Sequence, residues 1–192
     1  MKHTLIIMVI MLLTSGNSFA QNEINGFLGV KFGDANYVVI DVLKKKYPQL
    51  EWKSPCITIS KISFLGVTFD NLVITFKNGT LTEGIFTLSE TTSALLDEYP
   101  FRTQAQTQAT IKGKQESIIN KYGQLFNDIG NTFASKYGDP NSFSKGYAVW
   151  KDDKLNSIKL KISLGNHSGD NTIYFDGKLS ITYQIGMPID DF

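Results

Sequence analysis

The sequence predicts an α+β protein of two tandem repeats, each a helix packed on an antiparallel β-sheet. Two observations lead to this prediction: two segments have helical periodicity, and the segments that follow them have the alternation of strands. We expect a signal peptide at 1–20, a first helix-plus-sheet repeat at 21–102, a polar linker at 103–114 and a second repeat at 115–192. This division would give two units of similar size on either side of the linker.

The N-terminal segment has the pattern of a secretory signal peptide. A polar start at 2–3 precedes an apolar run at 5–13, and Ser-Phe-Ala at 18–20 offers small residues at the two positions that signal peptidase reads. The run is well short of the ~20 apolar residues that a transmembrane span needs. We therefore expect cleavage after Ala20 and export to the periplasm or the exterior of a bacterium, with no transmembrane span. An uncleaved N-terminal anchor is the alternative.

The charge balance gives no reason to expect nucleic acid as a partner. The chain has 19 Lys and Arg against 18 Asp and Glu, and removing a leader that contains Lys2 leaves 18 (19 − 1) against 18. Nucleic acid and anionic membranes attract strongly basic surfaces. We therefore expect no nucleic-acid partner, and neither composition nor charge indicates an oligomeric state.

Two segments carry the signals of helices. In the first, at 33–47, Asp34 is a suitable N-cap, the lysines at 44–46 favour the C-terminal end, and Pro48 stops the pattern. The second ends at Gly-Asp-Pro, 138–140. Its apolar residues recur three and four positions apart: Ile118, Ile119, Tyr122, Leu125, Phe126, Ile129, Phe133 and Tyr137.

The remaining regular segments have the period of β-strands. The segment 157–164 alternates apolar residues with Lys159, Lys161 and serines, which predicts a sheet with one hydrated face. Asn-Gly at 78–79 and Asp-Gly at 176–177 are dipeptides suited to type I′ hairpin turns. We therefore expect antiparallel strands on both sides of each turn.

The two predicted helices align at an offset of 90 positions without a gap. This offset matches Val39 with Ile129 and Leu43 with Phe133, and each helix is followed by strands and a hairpin. The stretch 103–110 between the halves has neither an apolar face nor a charge, so it is interpreted as a linker or as an exposed lead into the second helix. We expect an internal repeat, and chance similarity of two helix-then-strand units is the alternative.

Four short stretches carry a family resemblance: Phe-Leu-Gly-Val-Lys-Phe-Gly at 27–33, Lys-Lys-Tyr at 45–47, Lys-Tyr-Gly-Asp-Pro at 136–140 and Tyr-Ala-Val-Trp-Lys-Asp at 147–152. In these stretches the chain resembles exported bacterial helix-plus-sheet proteins. That group includes the SmpA/OmlA outer-membrane-assembly lipoproteins and the beta-lactamase inhibitor protein family, in which two such repeats stand in tandem. The resemblance implies the fold and no binding residue. The chain departs from these families because no cysteine follows the leader and Cys56 is its only cysteine.

No combination of residues predicts a catalytic, metal or cofactor site. Outside the leader the only histidine is His167, and Asp170 beside it falls in a segment with the composition of a hairpin tip. One histidine and Cys56 leave no zinc set, and the acidic pairs at 152–153 and 190–191 lack calcium-loop spacing. We therefore expect no enzyme activity, no metal and no cofactor.

The candidate partner-binding residues are two tryptophans and three residues of the predicted hydrated face: Trp52, Trp150, Lys159, Lys161 and Tyr174. Packing at the sheet edge beneath a helix is the alternative for the tryptophans. We expect a non-catalytic, protein-binding module of the bacterial envelope or exterior. The alternative is a small-ligand-binding protein or an enzyme whose site is not readable from the sequence.

Overall fold

The computed structural model describes residues 22–96 and 103–186, so the predicted signal peptide lies outside the described residues. Within these ranges the chain forms two helices and ten strands. In chain order they are β1 (Gly26–Phe27), β2 (Val30–Lys31), α1 (Asn36–Lys44), β3 (Glu51–Lys53), β4 (Cys56–Phe64), β5 (Val67–Lys77), β6 (Thr80–Leu95), α2 (Gln104–Tyr137), β7 (Ser142–Ser144), β8 (Tyr147–Lys151), β9 (Ser157–Gly169) and β10 (Thr172–Gln184).

Eight of the described strands form one antiparallel sheet in the order β3-β4-β5-β6-β10-β9-β8-β7, while β1 and β2 form a separate pair. The two halves of the chain meet where β6 pairs with β10, from Thr172 opposite Leu95 to Gln184 opposite Glu83. Each of these long strands satisfies the backbone groups that would otherwise form the open edge of a separate sheet. The halves predicted at 21–102 and 115–192 therefore share one sheet.

The prediction of two tandem helix-plus-sheet repeats is wrong. The helices are unequal, with 9 residues in α1 and 34 in α2. Buried side chains from both helices and from strands of both halves form one continuous core, in which Leu43 and Phe133 are both buried. The matching periodicity identified two helical segments, but it carried no information about which strands pair.

The first helix is shorter than its predicted range of 33–47. Asp34 does not cap it, because the Asp34 carboxylate accepts a hydrogen bond from the Lys31 backbone N–H at 2.8 Å. Ala35 precedes the first helical residue and makes no side-chain capping bond. The helix therefore begins later than the sequence signal indicated.

The second helix is confirmed and extends further toward its N-terminus than predicted. Thr103 and Gln106 form a capping box in which each side chain accepts a hydrogen bond from the other residue's backbone N–H. The residues 104–114, predicted as a polar linker, are the first turns of α2, so the exposed lead into the helix was the correct alternative. Gly138, with a φ of 80°, ends the helix as predicted.

Of the two predicted hairpin turns, only Asn78-Gly79 is confirmed. Both residues have positive φ, 53° and 78°, and they join β5 to β6. Gly177 instead lies inside β10, and the turn between β9 and β10 is at 170–171. A Cβ on Gly177 would come within 2.4 Å of the Tyr122 ring, so this glycine serves close helix packing rather than a turn.

Within residues 22–96 and 103–186, neither helix has the combination of length and apolar character that crossing a bilayer requires.

Candidate binding face

Alternation along β10 divides its side chains between a helix-covered face and an open face. Phe175, Leu179 and Ile181 are buried in the core. The residues between them point to the other side of the sheet, because successive side chains of a strand alternate. We call this other side the open face. In β6 and β10 it carries mainly short hydroxyl side chains: Thr87, Ser89, Thr91, Ser93, Ser180 and Thr182.

The open face of β8, β9 and β10 carries four lysines. The register pairs Lys159 with Thr182, Lys161 with Ser180 and Lys178 with Ser163, and Lys151 lies opposite Ser157. Lys159 is half-buried and donates a hydrogen bond to Gln184 Oε1 at 2.8 Å, while the other three are exposed.

None of these four lysines forms an ion pair within the described part of the chain. The carboxylates on the open face of the paired strands β6 and β10 are Glu83 and Asp176. Asp176 already accepts hydrogen bonds from Thr91 and His167. The four lysines therefore outnumber the two carboxylates of β6 and β10, which gives this half of the open face a net positive charge.

Three of the predicted partner-binding residues, Lys159, Lys161 and Tyr174, lie on the open face, but the structure brings only the two lysines together. Tyr174 lies six residues along β10 from Ser180, which pairs with Lys161. The structure does not bring the tryptophans to these residues. Trp52 in β3 pairs with the core residue Ile57 in β4, so Trp52 lies on the helix-covered side of the sheet. There its ring packs edge-to-face on Phe76, with centroids 5.5 Å apart.

The choice of Trp150 as a partner-binding residue is wrong. Its side chain is 1% exposed, and its indole N–H donates a hydrogen bond to the Gly138 carbonyl at 2.9 Å. The ring packs edge-to-face on Phe133 at 5.3 Å. Packing beneath the helix, the alternative for this residue, is what the structure has, because the Trp150 side chain reaches Phe133 and Gly138 at the end of α2.

His167 pairs with Asp176 rather than with Asp170. Its Nδ1 atom lies 2.8 Å from Asp176 Oδ2 and carries the proton, since an ionised carboxylate only accepts. Thr91 Oγ1 donates to the other carboxylate oxygen at 2.7 Å, and the His167 ring stacks on Tyr174 at 4.8 Å. His167 and Asp176 are nine positions apart in the sequence, and they meet because β9 and β10 pair in antiparallel register. The sequence pattern did not predict this pair, because it did not specify the register.

Hydrogen bonding stabilises the ionised form of the Asp176 carboxyl. The hydrogen bonds from Thr91 and then His167 hold the pKa of the Asp176 carboxyl below its ordinary value. No hydrogen bond joins His167 Nε2 to a hydroxyl or thiol within the described residues, so the group is a histidine–carboxylate pair without a nucleophile. The His167 side chain is 59% exposed and the Asp176 side chain 41%.

The acidic pair at 152–153 supplies a structural carboxylate. Asp152 is buried and accepts hydrogen bonds from the backbone N–H groups of Ile24, Lys154 and Asn156 and from the Asn156 side-chain amide. Both carboxylate oxygens are therefore used to join the N-terminal segment to the loop between β8 and β9.

No protein-family model matches the chain, and neither a curated protein nor a solved structure matches it. The basis for a function is therefore the geometry of the chain itself.

Proposed function

We propose that the protein is an exported, non-catalytic module that binds a partner protein on the open face, through an acidic patch of that partner. The observation that carries this proposal is the group of four lysines, none in an ion pair within the described residues, beside rows of serine and threonine. Complementary charge orients a partner and speeds its association, while short hydroxyl side chains can form hydrogen bonds without blocking close approach.

The position of the site on an open sheet face also favours a macromolecule over a small substrate. Lys161 and Lys178 stand on neighbouring strands of a sheet surface, and the hydroxyl rows continue across β10 and β6. Enzyme sites are usually concave and enclose convergent ionisable groups. The histidine–carboxylate pair on this face is exposed and has no nucleophile among the described residues, so binding is the better-supported activity.

Charge reversal on the open face tests the binding proposal. In Lys159→Glu/Lys161→Glu we expect capture of the native partner from the envelope fraction to fall by about tenfold or more, because carboxylates would then face carboxylates. A photo-crosslinking residue at Lys161 should join the captured protein to this face. Added salt should weaken capture, since the charges involved are exposed.

The matched control is Lys112→Glu/Lys114→Glu, which makes the same change in net charge on the exposed surface of α2. It should capture the partner like the wild type, and both double variants should keep nearly the wild-type melting temperature. Equal loss of capture in both variants would show a general charge effect. Unfolding of the open-face variant would show that the lysines are needed for the fold, and either result would overturn the proposal.

Export is the second part of the proposal, and it rests on the leader pattern at 1–20. N-terminal sequencing of protein from the envelope or medium should begin at Gln21. A chain that retains its leader in the cytoplasm would contradict this part of the proposal.

A further inference from the structure

A cleft of about 330 Å³ lies on the helix-covered side of the molecule, between the C-terminal half of α2 and the edge hairpin of β7 and β8. Its apolar lining comes from both elements: Phe126, Gly130 and Ala134 of the helix, and Phe143, Ala148 and Trp150 of the strands. This volume is within the range of small-molecule pockets. The cleft is separate from the open face, which lies on the other side of the sheet.

Small residues on α2 create the cleft. Gly130 and Ala134 are one helical turn apart, so no large side chain projects from this part of the helix toward the hairpin. Glycine is unfavourable in a helix interior relative to alanine. No close contact requires it here, because the nearest atom to a Cβ on Gly130 would be Leu160 Cδ2 at 3.8 Å. The chain therefore keeps an open space that an ordinary helix-forming residue would partly fill.

An aromatic side chain stands at the mouth of the cleft. Phe143 is 68% exposed, and its ring meets that of the buried Phe126 with centroids 6.2 Å apart. An exposed phenylalanine on a three-residue edge strand contributes little to the core. It offers a surface on which another apolar group can pack.

The polar part of the cleft lining includes one charged side chain, the carboxylate of Asp139. Asn127, Asn131 and Asp139 line the cleft, and none of their side chains has a hydrogen bond or ion pair within the described residues. No lysine or arginine lines the cleft. The lining therefore combines aromatic carbon, two amides and one uncompensated carboxylate.

We propose that this cleft binds a small aromatic amine, with its ring packed on the exposed ring of Phe143 and its ammonium group at Asp139. An apolar ring gains by leaving water and by packing edge-to-face on phenylalanine. An ammonium group beside a carboxylate and aromatic rings is favoured by both charge and cation–π attraction. The same carboxylate disfavours anions.

Three probes that share a phenyl ring test this assignment: 2-phenylethylamine, 2-phenylethanol and phenylacetate. Trp150 lines the cleft, so its fluorescence reports binding. The measurement uses a Trp52→Phe background, which leaves Trp150 as the only tryptophan of the chain. Trp52 lies in β3 at the opposite edge of the sheet, so this replacement does not touch the cleft. We expect saturable binding of the amine, about tenfold weaker binding of the alcohol, and weaker binding still of phenylacetate.

Two variants separate the role of the charge from that of the space. Asp139→Asn keeps the shape of the lining and should reduce amine affinity by about tenfold, to that of the alcohol. Ala134→Leu should fill the cleft and abolish binding of all three probes, while leucine remains a good helix former. Asp153→Asn, which removes an exposed carboxylate elsewhere, should bind like the wild type.

The proposal is overturned if the amine leaves Trp150 fluorescence unchanged up to about 10 mM, a very weak affinity even for a fragment. It is also overturned if Asp139→Asn binds the amine like the wild type, or if a folded Ala134→Leu variant still binds it. The melting temperature of each variant establishes that it is folded.

Discussion

Gly177 in β10 lies directly against the ring of Tyr122 in α2. A Cβ on this glycine would stand 2.4 Å from Tyr122 Cε2 and 2.6 Å from Cδ2, and Tyr122 is fully buried. The ring has no solvent-side space into which it could move. This contact fixes how closely the long helix approaches the centre of the sheet.

Replacing this glycine should therefore be costly. We expect Gly177→Ala to lower the free energy of unfolding by about 1–3 kcal/mol, because the new methyl group overpacks the core. Gly165→Ala is the matched control, since Gly165 lies on the neighbouring strand, opposite Asp176, with no atom near its Cβ position. Urea unfolding of both variants measures the difference, and equal stability would contradict the contact.

The Tyr122 hydroxyl is buried without a hydrogen-bond partner in the described structure. Burial, with smaller contributions from Glu90 and Asp70, raises the pKa of Tyr122 to about 12, so the group is neutral at physiological pH. An unsatisfied buried hydroxyl opposes folding. We expect Tyr122→Phe to be neutral or to raise the free energy of unfolding by up to about 1 kcal/mol. A loss of stability in urea unfolding would mean that the hydroxyl has a partner.

Replacing the buried Asp152 carboxylate should destabilise the fold strongly. We expect Asp152→Ala to lower the free energy of unfolding by about 3 kcal/mol, because the backbone N–H groups of Ile24 and Asn156 would lose their acceptor. The neighbouring Asp153→Ala, at an exposed position, should stay within about 0.5 kcal/mol of the wild type. Thermal unfolding of the two variants makes the comparison, and similar losses would show that the hydrogen bonds to Asp152 contribute little.

Asp176 should make stability depend on pH on the acid side. Its folded-state pKa is lowered, first by the Thr91 hydrogen bond, so its contribution is complete above the unfolded value of about 3.9 and is lost as pH falls through the folded value. We expect Asp176→Asn to be less stable than the wild type near neutral pH, with a difference that shrinks below about pH 4. Urea unfolding near pH 7 and near pH 3 tests this.

Thr91→Val removes the hydrogen bond from Thr91 to Asp176. This variant should also be less stable than the wild type near neutral pH, by a smaller amount than Asp176→Asn, and the difference should again shrink below about pH 4. A difference between wild type and Asp176→Asn that does not change with pH would show that the lowered pKa does not contribute to stability.

The candidate site could be predicted only in part from the sequence. Alternation alone assigned Lys159, Lys161 and Tyr174 to a polar side of the sheet, because a strand must alternate its faces. It could not pair His167 with Asp176, since that contact depends on the register between two strands. The same limit applies to the cleft beside α2, whose walls come from a helix and a hairpin that only packing brings together.

Local chemistry correctly determined several features of single elements. Asn78-Gly79 determined a hairpin turn, because both residues adopt positive φ at low cost, and Gly138 determined the end of α2 for the same reason. The apolar period at 118–137 identified the buried face of that helix, although Ile119, which the period included, is 43% exposed. Each of these features depends on neighbouring residues in the chain.

Tertiary structure decided what adjacent residues cannot specify. Gly177 matched a turn signal, yet the ring of Tyr122 against it makes it part of a continuous strand. The two halves resembled separate repeats, yet pairing of β6 with β10 joins them in one sheet. The physical reason is that backbone hydrogen bonds between distant strands and the packing of one shared core are cooperative, so the partner of a strand is chosen by the whole chain.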